Sequence, residues 1–262
     1  MPLLAVENLT VAYPQKGRVV EALKSFSLEI NPGEAVGLIG ESGCGKTTLA
    51  LTILSLLSKN ARIKEGKVIF AGEDLLKLKA KEIPKIRGRR IALIPQASQH
   101  AFNPVLTVGH QLVEHLCYHS SLSKPEAVEK AKVVLQEVGL EEKVLVSYPH
   151  QLSGGMRQRV AIAMALAVDP DLIIADESTN SLDVFTQEQI IKLFNKIRQE
   201  RKKALLIISH DLGVIARTCE KIGVIYQGEL VEQGNTQQIL QSPVHSYTKK
   251  LLNSFITLSR RR

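Results

Sequence analysis

Residues 40–47, Gly40-Glu41-Ser42-Gly43-Cys44-Gly45-Lys46-Thr47, fit the pattern G-x-x-x-x-G-K-[ST]. They stand between a short apolar run, Ala35-Val36-Gly37-Leu38-Ile39, and a stretch of helical character over residues 48–57. A strand, a glycine-rich loop and a helix in that order are the context the pattern needs to be a phosphate cradle. The glycines let backbone N–H groups turn inward around a β-phosphate, Lys46 neutralises β/γ charge, and the Thr47 hydroxyl is placed to ligate Mg²⁺ at the positive helix end. The expected ligand is ATP or GTP. The expected binding set is Gly40, Glu41, Ser42, Gly43, Cys44, Gly45, Lys46, Thr47 and Thr48.

What surrounds that loop is bounded by composition. With 262 residues, 44% hydrophobic and 23% charged, the chain suits one large or two small domains with a sizeable core. No apolar run approaches the roughly 20 residues needed to span a bilayer, and Met1-Pro2-Leu3-Leu4 lacks a signal-peptide pattern, so the chain is expected in the cytoplasm. Cys44, Cys117 and Cys219 show neither metal-ligand spacing nor even pairing, which fits unpaired thiols in a reducing compartment. Cys44 reads as a small residue that fits the cradle. The net charge of +8 does not point to nucleic acid, because the densest basic stretch, from Lys77 to Arg90, has no interleaved aromatic residues and aromatics make up only 4% of the chain. That stretch reads as a solvated loop, and Arg260-Arg261-Arg262 as a frayed end.

Along the chain, Leu4, Val6, Leu9 and Val11, then Phe26, Leu28 and Ile30, have the near-alternation of two half-buried strands turning at Gln15-Lys16-Gly17, which predicts an antiparallel flap. Residues 107–139 are helical; Ser123 and Glu126 form a capping box, Val128, Ala131, Leu135 and Val138 an apolar stripe, and Gly139 a C-cap. Leu172-Ile173-Ile174-Ala175 and Ala204-Leu205-Leu206-Ile207-Ile208 read as fully buried strands, separated by a helix with Ile190, Leu193, Phe194 and Ile197 on one face. This alternation implies a parallel α/β core. A hairpin is expected around Gln227-Gly228-Glu229.

Two further constellations carry chemistry. The buried strand at residues 172–175 runs straight into Asp176 and Glu177. Ligands of open α/β sheets bind beyond the carboxyl ends of strands, so Asp176 is expected to hold Mg²⁺ through water and Glu177 to polarise a water attacking the γ-phosphate. Leu152-Ser153-Gly154-Gly155-Met156 precedes a helix carrying Val160, Ala163, Met164 and Ala167 on one side. Ser153 can act there as N-cap, leaving the Gly154 and Gly155 amides exposed; on these residues alone a structural cap is the favoured reading, against a second anion site that would suggest a second nucleotide.

Residues 40–47, Leu152 to Met156, Asp176-Glu177, Ser181-Leu182-Asp183 and His210 together resemble the nucleotide-binding subunit of an ABC transporter, in order and spacing over nearly the whole chain. The resemblance implies an α/β fold: a P-loop NTPase core with an antiparallel β flap and an inserted α-helical subdomain. It implies a single ABC ATPase domain over residues 1–262, with a RecA-like core and flap at about 1–95 and 165–235, a helical subdomain at about 96–164, and a C-terminal helical tail at 236–262. It also implies a head-to-tail dimer in which Ser153, Gly154 and Gly155 of one subunit close over ATP held by the phosphate loop of another. On that template Gln96 senses Mg²⁺ and contacts the membrane subunits, His210 is the γ-phosphate switch, Tyr13 stacks on adenine and Asp183 links the two sites. The implied catalytic residues are Glu177, His210 and Lys46, and Thr47, Gln96 and Asp176 are the metal set, with ATP and Mg²⁺ as cofactors. The implied partners are two transmembrane permease subunits, a second ABC ATPase subunit and, indirectly, an extracytoplasmic substrate-binding protein. The chain would be peripheral on the cytoplasmic face of the membrane, with no nucleic acid bound.

Ala101-Phe102-Asn103-Pro104-Val105-Leu106-Thr107, Tyr148-Pro149-His150-Gln151 and Ser242-Pro243-Val244-His245-Ser246-Tyr247-Thr248 resemble the peptide and nickel import branch. Peptide importers of that branch often continue into a cysteine-bearing extension, whereas this chain stops at Arg262. Its residues 101–104 resemble nickel or metallophore importers slightly better, so the expectation leans towards metal uptake. Ser178 stands where the family has proline, Asn180-Ser181 where it has a threonine-alanine pair, and Ser246 replaces a proline of the C-terminal motif. The first two departures predict a looser loop around Glu177 and slower hydrolysis. The rival expectation is a soluble ABC-type ATPase of a metabolic complex such as the carbon–phosphorus lyase accessory proteins.

Overall fold

The computed structural model describes residues 1–15, 18–96, 101–180 and 182–259. The expected turn at Lys16-Gly17, Ser181 of the expected Ser181-Leu182-Asp183 motif, and the basic end Arg260-Arg261-Arg262 lie outside the described residues.

In chain order the strands are β1 (Leu4–Gln15), β2 (Arg18–Ile30), β3 (Ala35–Ile39), β4 (Arg62–Phe70), β5 (Glu73–Asp74), β6 (Ile91–Ile94), β7 (Leu172–Asp176), β8 (Ala204–Ile208), β9 (Lys221–Tyr226) and β10 (Glu229–Asn235). The helices are α1 (Lys46–Ile53), α2 (Ile83–Ile86), α3 (Val108–His119), α4 (Lys124–Glu137), α5 (Gly154–Ala167), α6 (Val184–Arg201), α7 (Leu212–Thr218), α8 (Thr236–Gln241) and α9 (Ser246–Ser259). They fall into two compact units, residues 1–79 with 204–262, and residues 80–203.

In the first unit the alternation at the N-terminus produces the antiparallel flap. Leu4, Val6, Leu9 and Val11 of β1 and Phe26, Leu28 and Ile30 of β2 are all at most 2% exposed, and the flap sheet runs β2-β1-β4-β5. The continuous apolar runs of β3 and β8 form a parallel pair, with Leu38 opposite Ile208, and β9 lies parallel on the other side of β3. Buried on both faces, these strands have no polar positions, as a sheet covered by helices requires. β9 turns into β10 through Gln227 and Gly228, both at positive φ (48° and 89°), the geometry that joins two strands with right-handed twist.

In the second unit β6 and β7 pair in parallel, Ile91 to Ile94 against Leu172 to Ala175. The helical segment divides into α3 and α4. Ser123 and Glu126 make the reciprocal capping box, and Gly139 follows α4 at φ 73°. The expected stripe holds at Ala131, Leu135 and Val138, all buried, while Val128 is only half-buried and Ala127 and Val134 complete the buried face. The basic stretch expected to be a loop contains α2 and leads into β6. Arg90 is tied there by its ion pair to Asp171 at 2.8 Å, and its carbonyl accepts from the Asp171 and Leu172 amides. Among the described residues no helix is long and apolar enough to cross a membrane.

Candidate functional site

The phosphate loop grows out of the end of β3, which pairs in parallel with β8 on one side and β9 on the other. A Cβ at Gly45, where φ is 115°, would stand 2.3 Å from the Ala22 carbonyl oxygen of β2, so only glycine lets the loop press against the flap and start α1. α1 has no side-chain cap, which leaves its first amides to the loop. Lys46 is 5% exposed, and its ammonium donates to the Gly40 and Glu41 carbonyls, both at 2.8 Å, so the cation is held over the loop's own backbone. Cys44 Sγ lies 3.5 Å from Lys46 Nζ, and burial pushes its thiol up, against the pull of the Lys46 charge. Its carbonyl accepts from the Gly228 amide at 3.1 Å. Thr47 is exposed and Thr48 half-buried.

His210 lies two residues past the end of β8, so the chain leaves the sheet there at the same carboxyl edge as at Gly40, which follows the neighbouring β3, and His210 is exposed. It is positioned by Ser209, buried at 1% and accepting from the Asp211 amide, and by Asp211, which caps α7 through Gly213 and Val214. Tyr13 is half-buried on β1 opposite Val20, two residues before the Ala22 carbonyl that borders Gly45.

In the second unit β7 ends on Asp176, 6% exposed, and Glu177 follows with φ at 47°. A left-handed backbone is uncommon for a residue other than glycine and collects at functional positions. One oxygen of Glu177, Oε2, accepts from Gln96 Nε2 at 2.5 Å and from Asn180 Nδ2 at 2.7 Å. The pairing of Gln96 with Glu177 joins two residues the resemblance had singled out separately. Asn180 is a partner that sequence reasoning missed; its replacement of the family's threonine was the available signal. The Asn180 amide donates to the Glu177 carbonyl at 3.2 Å, and Ser178 and Thr179 are buried.

Ser153 caps α5 by accepting from the Met156 amide at 3.2 Å, as the sequence predicts, and Gly154 has open space where a Cβ would be. Gly155 is different: a Cβ there would come 2.5 Å from Thr186 Cγ2. Thr186 in turn donates its amide (2.9 Å) and hydroxyl (2.7 Å) to Asp183, which caps α6 and is held below the usual carboxylate range by those two bonds. The starts of α5 and α6 therefore meet, bringing Ser153, Gly155 and Asp183 onto one exposed edge. Val184 and Phe185, next on α6, are 83% and 72% exposed beside it.

The sequence profile of the ABC transporter family matches residues 23–180, and that of the oligopeptide/dipeptide transporter C-terminal region matches residues 231–262. Similar proteins include a probable peptide ABC transporter ATP-binding protein, y4tR, of Sinorhizobium fredii, 44% identical and covering 96% of this chain and 76% of that protein. The dipeptide transport ATP-binding protein DppD of Bacillus subtilis is 42% identical with the same coverage. The oligopeptide transport ATP-binding protein OppD of Escherichia coli is 41% identical, over 96% of this chain and 75% of its own. Among solved structures, the dimeric cassette MJ0796, including its post-hydrolysis form bound to ADP and Pi, matches with a TM-score of 0.80 and 33% identity, covering 89% of this chain and 98% of that one. Loop, carboxylates and capped glycine pair thus stand on a fold shared with such cassettes, and the chain belongs to the ATP-binding subunits of the ABC transporter family, an ATPase of that type.

Proposed function

We propose that this ATPase powers uptake of short peptides through two permease subunits, from the cytoplasmic face of the membrane and paired with a second cassette. The observation that carries the substrate class is the match of residues 231–262 to the oligopeptide/dipeptide transporter C-terminal region, supported by the peptide transport names of the relatives. The lean towards nickel or metal chelates finds no support in the relatives' names and is the weaker reading, and the soluble metabolic-complex alternative has none there either.

The roles follow from chemistry. Lys46 exchanges its loop carbonyls for β- and γ-phosphate oxygens, with the amides of residues 43–48 supplying the cradle. The Thr47 hydroxyl, Gln96 amide oxygen and Asp176 carboxylate are hard oxygen donors of the kind Mg²⁺ takes, and fit it as ligands. Mg²⁺, when bound, neutralises charge developing on the phosphates. Glu177, oriented by two amide donors on Oε2, polarises the attacking water through its carboxylate, and His210 reads the γ-phosphate from the β8 edge. Tyr13 offers its ring to adenine. Ser153, Gly154, Gly155 and Asp183 face the partner cassette, and the exposure of Val184 and Phe185 beside them supports a surface that a second chain covers. ATP favours the closed pair and hydrolysis releases it, so the permeases feel a population shift.

The test is uptake by cells lacking the native copy and complemented with this chain or with Glu177→Gln. The reading expects labelled dipeptide uptake to be restored only by the unaltered chain. Restored uptake of radioactive nickel without dipeptide uptake would overturn it.

A further inference from the structure

The C-terminal motif at residues 242–248 is conspicuous in the sequence yet has no part in the chemistry above. In the structure it folds onto the phosphate loop. The Glu41 amide donates to the Tyr247 hydroxyl oxygen at 3.1 Å. Glu41 N–H and Gly40 C=O belong to one peptide plane, and that carbonyl accepts from Lys46 Nζ at 2.8 Å. A single peptide group therefore stands between the Tyr247 phenol and the lysine that gives the loop its charge.

Tyr247 is itself fixed. It is 8% exposed, and its ring stacks on Tyr226 with centroids 4.0 Å apart. Tyr226 ends β9, and the turn that follows it donates the Gly228 amide to the Cys44 carbonyl, so the same hairpin holds the other limb of the loop. Upstream, Glu232 of β10 accepts from the Val244 amide at 2.7 Å and the His245 amide at 3.0 Å, and His245 Nδ1 accepts from the Tyr247 amide at 3.2 Å. These bonds set the start of α9 without the proline that Ser246 replaces. Burial pushes the phenol up, which keeps it a neutral hydroxyl.

We infer that Tyr247 is a positioning residue of the nucleotide site, and that the segment at residues 231–259 sets the affinity of the phosphate loop by fixing the Gly40–Glu41 peptide plane. The inference rests on the reading of residues 40–47 as the nucleotide cradle. A loop already held in its binding shape loses less freedom when phosphate arrives, so removing the anchor weakens binding without touching the reacting groups. The coupling is reciprocal: a segment that improves ATP binding is itself held more firmly when ATP is bound.

The test uses the full chain with the substitution Tyr247→Phe, which keeps the ring and its stack on Tyr226 and removes only the hydroxyl. Loss of one neutral hydrogen bond predicts that the dissociation constant for ATP, measured by calorimetry, rises about three- to tenfold, while kcat at saturating ATP stays at the unaltered value. Hydrogen exchange gives a second readout. ATP should slow amide exchange over residues 247–252 in the unaltered chain and do so less in Tyr247→Phe. Lys46→Ala separates the two ideas. Lost binding in Lys46→Ala with unchanged affinity and exchange in Tyr247→Phe overturns the assignment of Tyr247 alone. Unchanged affinity in both overturns the nucleotide cradle and the assignment together. A fall in kcat with no change in affinity also overturns it, since the hydroxyl would then act on chemistry and not on the loop.

Discussion

At the scale of single residues, the role proposed for Glu177 makes turnover depend on how its carboxylate is held. Its carboxylate can orient water only if the side chain is held, and one of its two amide donors, Asn180, comes from the same short loop. The proline that family members place at residue 178 restricts the backbone; here Ser178 is buried and the Asn180 amide closes the loop by donating to the Glu177 carbonyl. Asn180→Ala is expected to lower kcat for ATP hydrolysis about ten- to hundredfold with the KM for ATP unchanged, since a hydrogen bond to a charged carboxylate is worth roughly 1.5–3 kcal/mol and this one acts on Glu177 and not on the nucleotide-binding loop. Steady-state hydrolysis by the assembled transporter checks it; an unchanged kcat would show that Gln96 alone holds the carboxylate. Individual side chains of this kind were only half legible in the sequence. Lys46, Glu177 and Ser153 stand in patterns whose spacing carries a mechanism, whereas Asn180 and Tyr247 act through contacts that fold together only in three dimensions.

At the scale of elements, the long periodic segments were the most readable. The capping box of α4 and the apolar face of α6 follow from the order of residues alone, because local hydrogen bonds and one buried face specify them. β6 was not legible: four residues after a run of basic side chains give no period to count, and the strand exists because β7 and the Arg90–Asp171 pair supply its partners. α3 hides another feature that periodicity does not reveal. His115 packs into the helical segment with its Nε2 buried and unpartnered among the described residues, and burial, with the neighbouring His119, lowers its pKa to about 4. The unfolded chain takes up this proton below an ordinary histidine pKa of 6.5 and the folded chain does not until pH is near 4, so stability falls as pH falls across that window. The loss attributable to His115 is on the order of 3 kcal/mol. Urea unfolding at neutral pH and near pH 4 should show a smaller acid loss for His115→Leu than for the unaltered chain; equal losses would place the acid sensitivity elsewhere.

At the scale of the whole molecule, the reading depends on partners. Order and spacing of the motifs were enough to identify the family, because phosphate loop, signature and strand-end carboxylates occur together for one chemical purpose. Cargo was not legible, since residues that bind and split ATP do not touch what is transported; the C-terminal region and the names of the relatives bear on it instead. Ser153, Asp183, Val184 and Phe185 are exposed, and the proposed pairing with a second cassette would cover the two apolar side chains among them. In the proposed mechanism Glu177 drives hydrolysis of ATP held between paired cassettes on a membrane complex. It is tested most directly by purifying Glu177→Gln from native membranes in detergent with Mg-ATP and measuring bound nucleotide, turnover and co-purifying chains. The expected result is a complex with two polytopic permeases and a second cassette, retaining intact ATP, with hydrolysis reduced on the order of 10²–10⁴-fold. Undiminished turnover, or recovery with soluble enzyme subunits and no membrane protein, would contradict it.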